Sequence, residues 1–245
     1  MDVLRWDPQR RTLSVFVGTI AMQKEKRKSM QLVIFGANGP TGLELCRQAL
    51  AAGHRVTAAV RRPDDFPLQD DALTLVQAHV MDGSSLAHVI GDADAVLSTL
   101  GAAYSRHEIR VYSVGTKAII GAMRASDHCR RLVVVSAGLL PLSKAPKVRG
   151  FFQDRLILPF LRNVVGKTLY EDMGRMEDLL ATCNDIAWTI IRPGRLINGA
   201  GVSDYRLDED FPVGNVTSRP DLAAAMLAEL GPNGHVHRKV APTTR

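Results

Sequence analysis

The sequence predicts one doubly wound α/β domain built on a parallel sheet, with a small C-terminal substrate-side region. Two observations predict it. Short β-branched apolar runs alternate strictly with helix-length amphipathic stretches from Gln31 to Ser136, and the first strand passes into the first helix through a glycine-rich turn, Gly36-Ala37-Asn38-Gly39-Pro40-Thr41-Gly42. Strict alternation implies right-handed crossovers, which make neighbouring strands run parallel. The chain has 245 residues, enough for one large domain with an ample core. It is 46% hydrophobic and 23% charged, which excludes the disordered and fibrous classes.

Leu32-Val33-Ile34-Phe35 is apolar at every position, as a strand covered on both faces must be. Thr41 to Ala52 follows as a helix with Leu43, Leu45, Ala49 and Leu50 on its inward stripe, stopped by Gly53. Arg55 to Val60 reads as the second strand and Leu73 to Val80 as the third. A short helix from Gly83-Ser84-Ser85 leads to the fourth strand, Asp94 to Thr99. Glu108 to Ala125 is a long helix, and Arg131 to Ser136 the fifth strand. Beyond Gly138 the rhythm loosens. Leu139 to Lys167 mixes Pro, Lys and Arg with bulky apolar residues, and reads as a substrate lid, an oligomer contact or a helix covering the sheet. A helix from Thr168 to Thr182 precedes the strand Ala187 to Ile191, which Pro193-Gly194 stops. A polar loop, a short strand at Val213 to Thr217, a helix at Arg219 to Leu230 and a closing strand at Val236 to Ala241 complete the chain. No repeat or linker divides it, so residues 30–241 are expected to form a single domain.

The net charge of +6 is concentrated at the start: residues 1–30 hold seven Lys and Arg against three acids. The body is therefore only mildly basic, and direct nucleic-acid binding is not expected. Residues 1–29 read as a leader or over-extended start outside the fold. The apolar run Leu13 to Met22 precedes its basic cluster, the reverse of a secretory signal. No apolar run approaches the roughly 18–20 residues of a membrane-spanning helix. Cys46, Cys129 and Cys183 lack metal or redox spacing and read as packed thiols in a reducing, cytoplasmic setting. His235 and His237 fall on one face of the expected last strand, with no third ligand in sight for a metal.

Gly36, Gly39 and Gly42 stand between a buried strand and a helix, where a dinucleotide pyrophosphate needs them. One permits the tight turn, one lets backbone approach the phosphates, and one lets helix pack on strand. The anion then meets the free amides and dipole of the helix N-terminus, making Gly36, Asn38, Gly39, Pro40, Thr41 and Gly42 cofactor-binding candidates. An NAD site places an acid at the end of the second strand. Here Arg61 and Arg62 stand there, and guanidiniums suit a 2′-phosphate, so NADPH is expected over NADH. Asp82, after the third strand, is placed either to reach adenine or to cap the next helix. Ser98-Thr99-Leu100-Gly101 ends the fourth strand in residues that let a cofactor cross the sheet edge, and Leu100 and Gly101 join the candidates.

The run Val33 to Gly42, the Val60-Arg61-Arg62 ending, Val135-Ser136-Ala137, Thr189 to Gly194 and Ser218 to Ala223 together resemble atypical, Rossmann-type short-chain dehydrogenase/reductases. The likeness is to the NAD(P)H-binding subgroup that includes flavin reductase/biliverdin-IXβ reductase and the NmrA-like proteins, over roughly residues 30–241. It implies an NADPH-dependent reductase that passes a hydride to a stacked flavin, quinone or similar conjugated acceptor, working as a monomer or homodimer on a small molecule. Two alternatives stand beside it: a non-catalytic NADP sensor of the NmrA kind, and a sugar-nucleotide epimerase. The resemblance places Ser136 at the reaction centre. The Tyr-x-x-x-Lys of conventional members is absent, since Gly174 stands four residues after Tyr170. Glu171-Asp172-Met173-Gly174 also lacks the histidine that some flavin-reductase-like members carry there. Tyr170 is expected to line the acceptor site or pack its helix, and Arg192 to be structural or a substrate-side cation.

Overall fold

The computed structural model describes residues 29–82, 86–105, 107–138 and 166–245. The expected leader up to residue 28, the Gly83-Ser84-Ser85 helix start and the loosened segment from Leu139 to residue 165 lie outside the described residues. The strands are β1 (Gln31–Phe35), β2 (Arg55–Val60), β3 (Leu73–Gln77), β4 (Ala95–Ser98), β5 (Arg131–Val135), β6 (Ala187–Ile191), β7 (Arg195–Ile197), β8 (Arg206–Glu209), β9 (Val216–Ser218) and β10 (Arg238–Thr243). The helices are α1 (Pro40–Ala51), α2 (Ala87–Ile90), α3 (Val111–Ala125), α4 (Lys167–Ala181) and α5 (Arg219–Ala228).

Eight strands form one sheet in the order β3-β2-β1-β4-β5-β6-β10-β8, and β7 pairs with β9 beside it. Every pair in the large sheet is parallel except β10 with β8. The expected Rossmann-type sheet is therefore present, with the chain reversing direction of travel between β1 and β4. That switch point is where such sheets bind ligands.

Alternation along each strand explains why the central runs are apolar throughout. Phe35, Val96, Leu132, Val134 and Ile190 point to one face and pack with Ile119 and Met123 of α3 and with Met176 and Leu180 of α4. Ile34, Ala58, Leu97, Val133 and Ile191 point to the other, against Leu45 and Ala49 of α1 and Leu222 and Met226 of α5. Each large side chain so buried contributes about 1.5–3 kcal/mol. The three cysteines are buried and free. Burial pushes the Cys46 thiol up to about 12 and that of Cys129 up to about 11, so neither is a ready nucleophile.

Several elements depart from expectation for identifiable reasons. The third strand ends at Gln77 rather than Val80, and the amide of Ala78 makes the last bond across to the Val60 carbonyl at 2.9 Å. The long helix starts at Val111, not Glu108, because its cap comes from another helix. Asp172 of α4, fully buried, accepts from the Tyr112 amide at 2.8 Å and from the Ser113 hydroxyl. Two further bonds tie α4 to the chain ahead of α3: Thr168 Oγ1 donates to the Ser105 carbonyl at 2.8 Å, and Arg175 Nη2 to the Ile109 carbonyl at 3.0 Å.

The stretch expected as a polar loop contains β7 and β8. β8 is a charged edge strand, Arg-Leu-Asp-Glu, whose polarity hides it from a hydrophobicity reading. The last strand runs from Arg238 to Thr243 instead of Val236 to Ala241. Pro242 looks like a terminator, yet it lies beyond the pairing with β6, and its carbonyl takes the Thr217 hydroxyl at 2.6 Å. His235 and His237 consequently precede the strand and do not share its face. His235 Nδ1 meets Glu229 Oε1 at 2.9 Å, while His237 Nε2 meets the Ile186 carbonyl at 2.8 Å.

Candidate cofactor and acceptor site

The turn after β1 is shaped by atoms a side chain would displace. Gly36 has φ 75°, and a β-carbon there would stand 2.5 Å from the Thr99 carbonyl oxygen. A β-carbon on Gly42 would stand 2.2 Å from the Gly36 oxygen, so α1 can lie this close to β1 only with glycine at that position. Gly39 is less confined, 3.3 Å from the same oxygen, and serves as the N-cap of α1. The Thr99 hydroxyl braces the turn from β4, 3.1 Å from the Phe35 carbonyl and 3.2 Å from that of Gly36.

No side chain caps α1, and Pro40 occupies its first turn. The first helical bond is Leu43 N to the Gly39 carbonyl at 2.8 Å, which leaves the Thr41 and Gly42 amides without an acceptor among the described residues. Asn38 and Pro40 are exposed at the mouth, Thr41 is half-buried and Gly42 buried. Free amides, a glycine floor and the positive end of a helix dipole fit a pyrophosphate.

At the end of β2 the two arginines differ. Arg62 Nε pairs with Asp65 Oδ2 at 3.2 Å across the short 3-10 turn Pro63–Asp65. Arg61 is exposed and has no ion-pair partner among the described residues; its carbonyl is held by the Gln77 side chain at 3.2 Å. Asp82 is exposed after β3, and the N-cap of α2 is Leu86. Leu100 is half-buried over Gly115 of α3, where a β-carbon would come within 3.0 Å of its methyl group. Gly101 is exposed, with open space where its side chain would be.

Beyond β5 the site is built from charge. Ser136 is 3% exposed, and its hydroxyl donates to Glu177 Oε1 at 2.7 Å. Glu177, on the buried face of α4, also takes Arg192 Nε at 3.0 Å on the same oxygen. Its second oxygen takes Arg192 Nη2 and Lys239 Nζ, the latter at 2.9 Å. Arg192 is 1% exposed; Nη1 donates to the Asp210 carbonyl at 3.3 Å, and the guanidinium lies 5.6 Å from the Phe211 ring centre. Burial works against the Glu177 charge, but the Arg192 guanidinium, the Ser136 hydroxyl and the Lys239 ammonium outweigh it. The carboxyl is held below its usual range. Arg192 is thus tied into the interior rather than presented to a substrate. Glu177 and Lys239 carry no sequence signal, because their partners lie 41, 15 and 62 residues away along the chain.

Three tyrosines gather where the β4–α3 connection meets α4. Tyr104 is 62% exposed, Tyr170 half-buried and Tyr112 buried, its hydroxyl accepting from the Ala102 amide at 3.2 Å. A β-carbon on Gly166 would stand 2.6 Å from the Tyr170 ring and 3.1 Å from that of Tyr104, so glycine lets the two rings close over it. Burial pushes the Tyr170 phenol above the ordinary tyrosine range, and a hydrogen bond with Tyr104 adds to the shift. A tyrosine that relays protons in the conventional manner needs the opposite, a lowered pKa. Tyr104 and Tyr112 were not legible as site residues, since isolated tyrosines in a loop and on a helix have no motif.

The model of the NAD(P)H-binding family matches residues 36–231. An uncharacterized Bacillus subtilis protein, YwnB, is 29% identical over 208 residues, which is 82% of this chain and 92% of that protein. Among solved structures, a candidate NADH-flavin reductase from Streptococcus pneumoniae superposes with a TM-score of 0.69 at 22% identity, over 89% of this chain and 100% of that one. A short-chain dehydrogenase/reductase from Veillonella parvula, solved in complex with NADP, superposes with a TM-score of 0.70 at 16% identity, over 87% of this chain and 94% of that one. At these identities the two structures speak for the fold.

Proposed function

The chain belongs to the NAD(P)H-binding family of atypical short-chain dehydrogenase/reductases, and from that premise we propose that it is an NADPH-dependent reductase of a planar conjugated acceptor such as a flavin or quinone. The observation that carries this reading is the makeup of the sheet edge beside the glycine turn. It offers Leu100, Ala102, Ala137 and Tyr170, partly buried against the core, with the exposed Tyr104 ring meeting that of Tyr170 over Gly166. Such a surface suits a flat ring laid against the nicotinamide, and the sequence lacks the Tyr-x-x-x-Lys with which conventional members protonate a carbonyl. The backbone from Gly36 to Gly42 would hold the pyrophosphate and Arg61 the 2′-phosphate. Arg62, engaged by Asp65, would contribute less. When bound, the reduced cofactor supplies a hydride; the protein's share is to bring the acceptor ring to it and to exclude water.

Purified protein given NADPH with FMN or a quinone should oxidise the NADPH. Binding without turnover across a broad acceptor panel would overturn the reductase reading in favour of a cofactor sensor. Arg61→Ala should weaken NADPH by more than about tenfold, the worth of a charged hydrogen bond, and leave NADH nearly unchanged. Equal losses for both cofactors would remove the 2′-phosphate assignment.

A further inference from the structure

We infer that Glu177 is a positioning residue for the cofactor: it holds the Ser136 hydroxyl proton, leaving Ser136 able only to accept, and the donor Ser136 accepts from is the carboxamide N–H of the nicotinamide. The inference rests on the cofactor reading above and goes beyond it by assigning a polarity to one contact.

A carboxylate has four lone-pair sites and no proton to give. Here all four are taken. Oε1 accepts from Ser136 Oγ at 2.7 Å and Arg192 Nε at 3.0 Å, and Oε2 accepts from Arg192 Nη2 and from Lys239 Nζ at 2.9 Å. With a guanidinium and an ammonium against it, the carboxyl stays ionised and cannot reverse the bond to Ser136. A hydroxyl has a single proton, so Ser136 retains only lone pairs for any further partner, and no described group donates to its Oγ.

Position decides the partner. Ser136 follows β5, and in the sheet order β5 lies two strands from β1, whose end carries the glycine turn. Two strand spacings make about 10 Å, comparable to the span of a nicotinamide riboside running from the pyrophosphate along the carboxyl edge. The carboxamide is the only N–H donor at that end of the dinucleotide. A serine that could turn its proton outward would serve the carboxamide oxygen equally well; one pinned by Glu177 selects the nitrogen.

The test compares NADP with its acetylpyridine analogue, in which a methyl ketone replaces the carboxamide and can accept but not donate. Binding of both is measured by calorimetry with no acceptor present. The wild-type chain should prefer NADP, and Ser136→Ala should cost NADP roughly five- to tenfold while changing the analogue by less than about twofold. Glu177→Gln, whose amide nitrogen can donate to Ser136 and release the hydroxyl proton, should erase the preference while the protein still melts cooperatively. Equal losses for the two ligands in Ser136→Ala, or no loss for either, would overturn the inference. Should Glu177→Gln fail to fold, Ser136→Ala decides alone. A wild-type chain that binds neither ligand would sink the cofactor reading itself, an outcome distinct from equal losses.

Discussion

Between β1 and β4 the site is shaped by main chain, whereas at the ends of β5 and β6 it is shaped by charged side chains from separate segments. In the first region the contacts are a carbonyl 2.5 Å from where a Gly36 β-carbon would stand and two helix amides left open. In the second they are the bonds of Ser136, Arg192 and Lys239 to Glu177. The difference reflects what each region must do. A pyrophosphate is the same in every dinucleotide, so backbone geometry suffices. On the reading proposed above, the nicotinamide end must instead be held in one orientation, and there the direction of the Ser136 hydroxyl is set by side chains.

Breaking the charged region should cost the most. Arg192→Ala leaves the Glu177 carboxylate buried with only Ser136 and the partly exposed Lys239, at an expected cost of about 3–5 kcal/mol in denaturant unfolding. A loss under about 1 kcal/mol would mean water reaches Glu177 and the cluster is not sealed. Breaking the backbone region should cost less stability but more function. Gly42→Ala drives a β-carbon to 2.2 Å from the Gly36 oxygen. It should destabilise by about 1–3 kcal/mol and, by opening the turn, remove measurable dinucleotide binding in a fluorescence titration. Retained binding would show that the turn tolerates displacement and is less shaped than it looks. The smallest effect sharpens the contrast. Gly174 lies inside α4 with open space around its missing side chain. Gly174→Ala should raise stability by about 0.5–1 kcal/mol through helix propensity and leave cofactor affinity unchanged.

Legibility in the sequence followed the same divide. The glycine turn, the strands from β1 to β6 and the arginines after β2 could be read because their signals are local: adjacent residues on one strand, one turn, one helix start. The Glu177 cluster could not, because its members meet only after two crossovers, β5 to β6 and β6 to β10, have brought the ends of those strands beside α4. Ser136 was visible as a strand-end hydroxyl, but not the direction its proton takes. β8 escaped notice because an edge strand exposes its backbone to water and so carries charge instead of the apolar alternation of a central strand. The start of α3 was misplaced for a related reason: its cap is Asp172, supplied by a helix some sixty residues later.

That cap has a kinetic consequence. Because Asp172, Thr168 and Arg175 of α4 satisfy backbone groups at the start of α3 and in the connection before it, neither helix can fray at that end without the other losing partners. The amides of Tyr112 and Ser113 in the first turn of α3, which would otherwise exchange as the unpaired donors of a helix end, donate to Asp172 and are released only when that end of α4 opens. A ligand seated on that edge would therefore slow hydrogen exchange in two stretches far apart in the chain, as one unit.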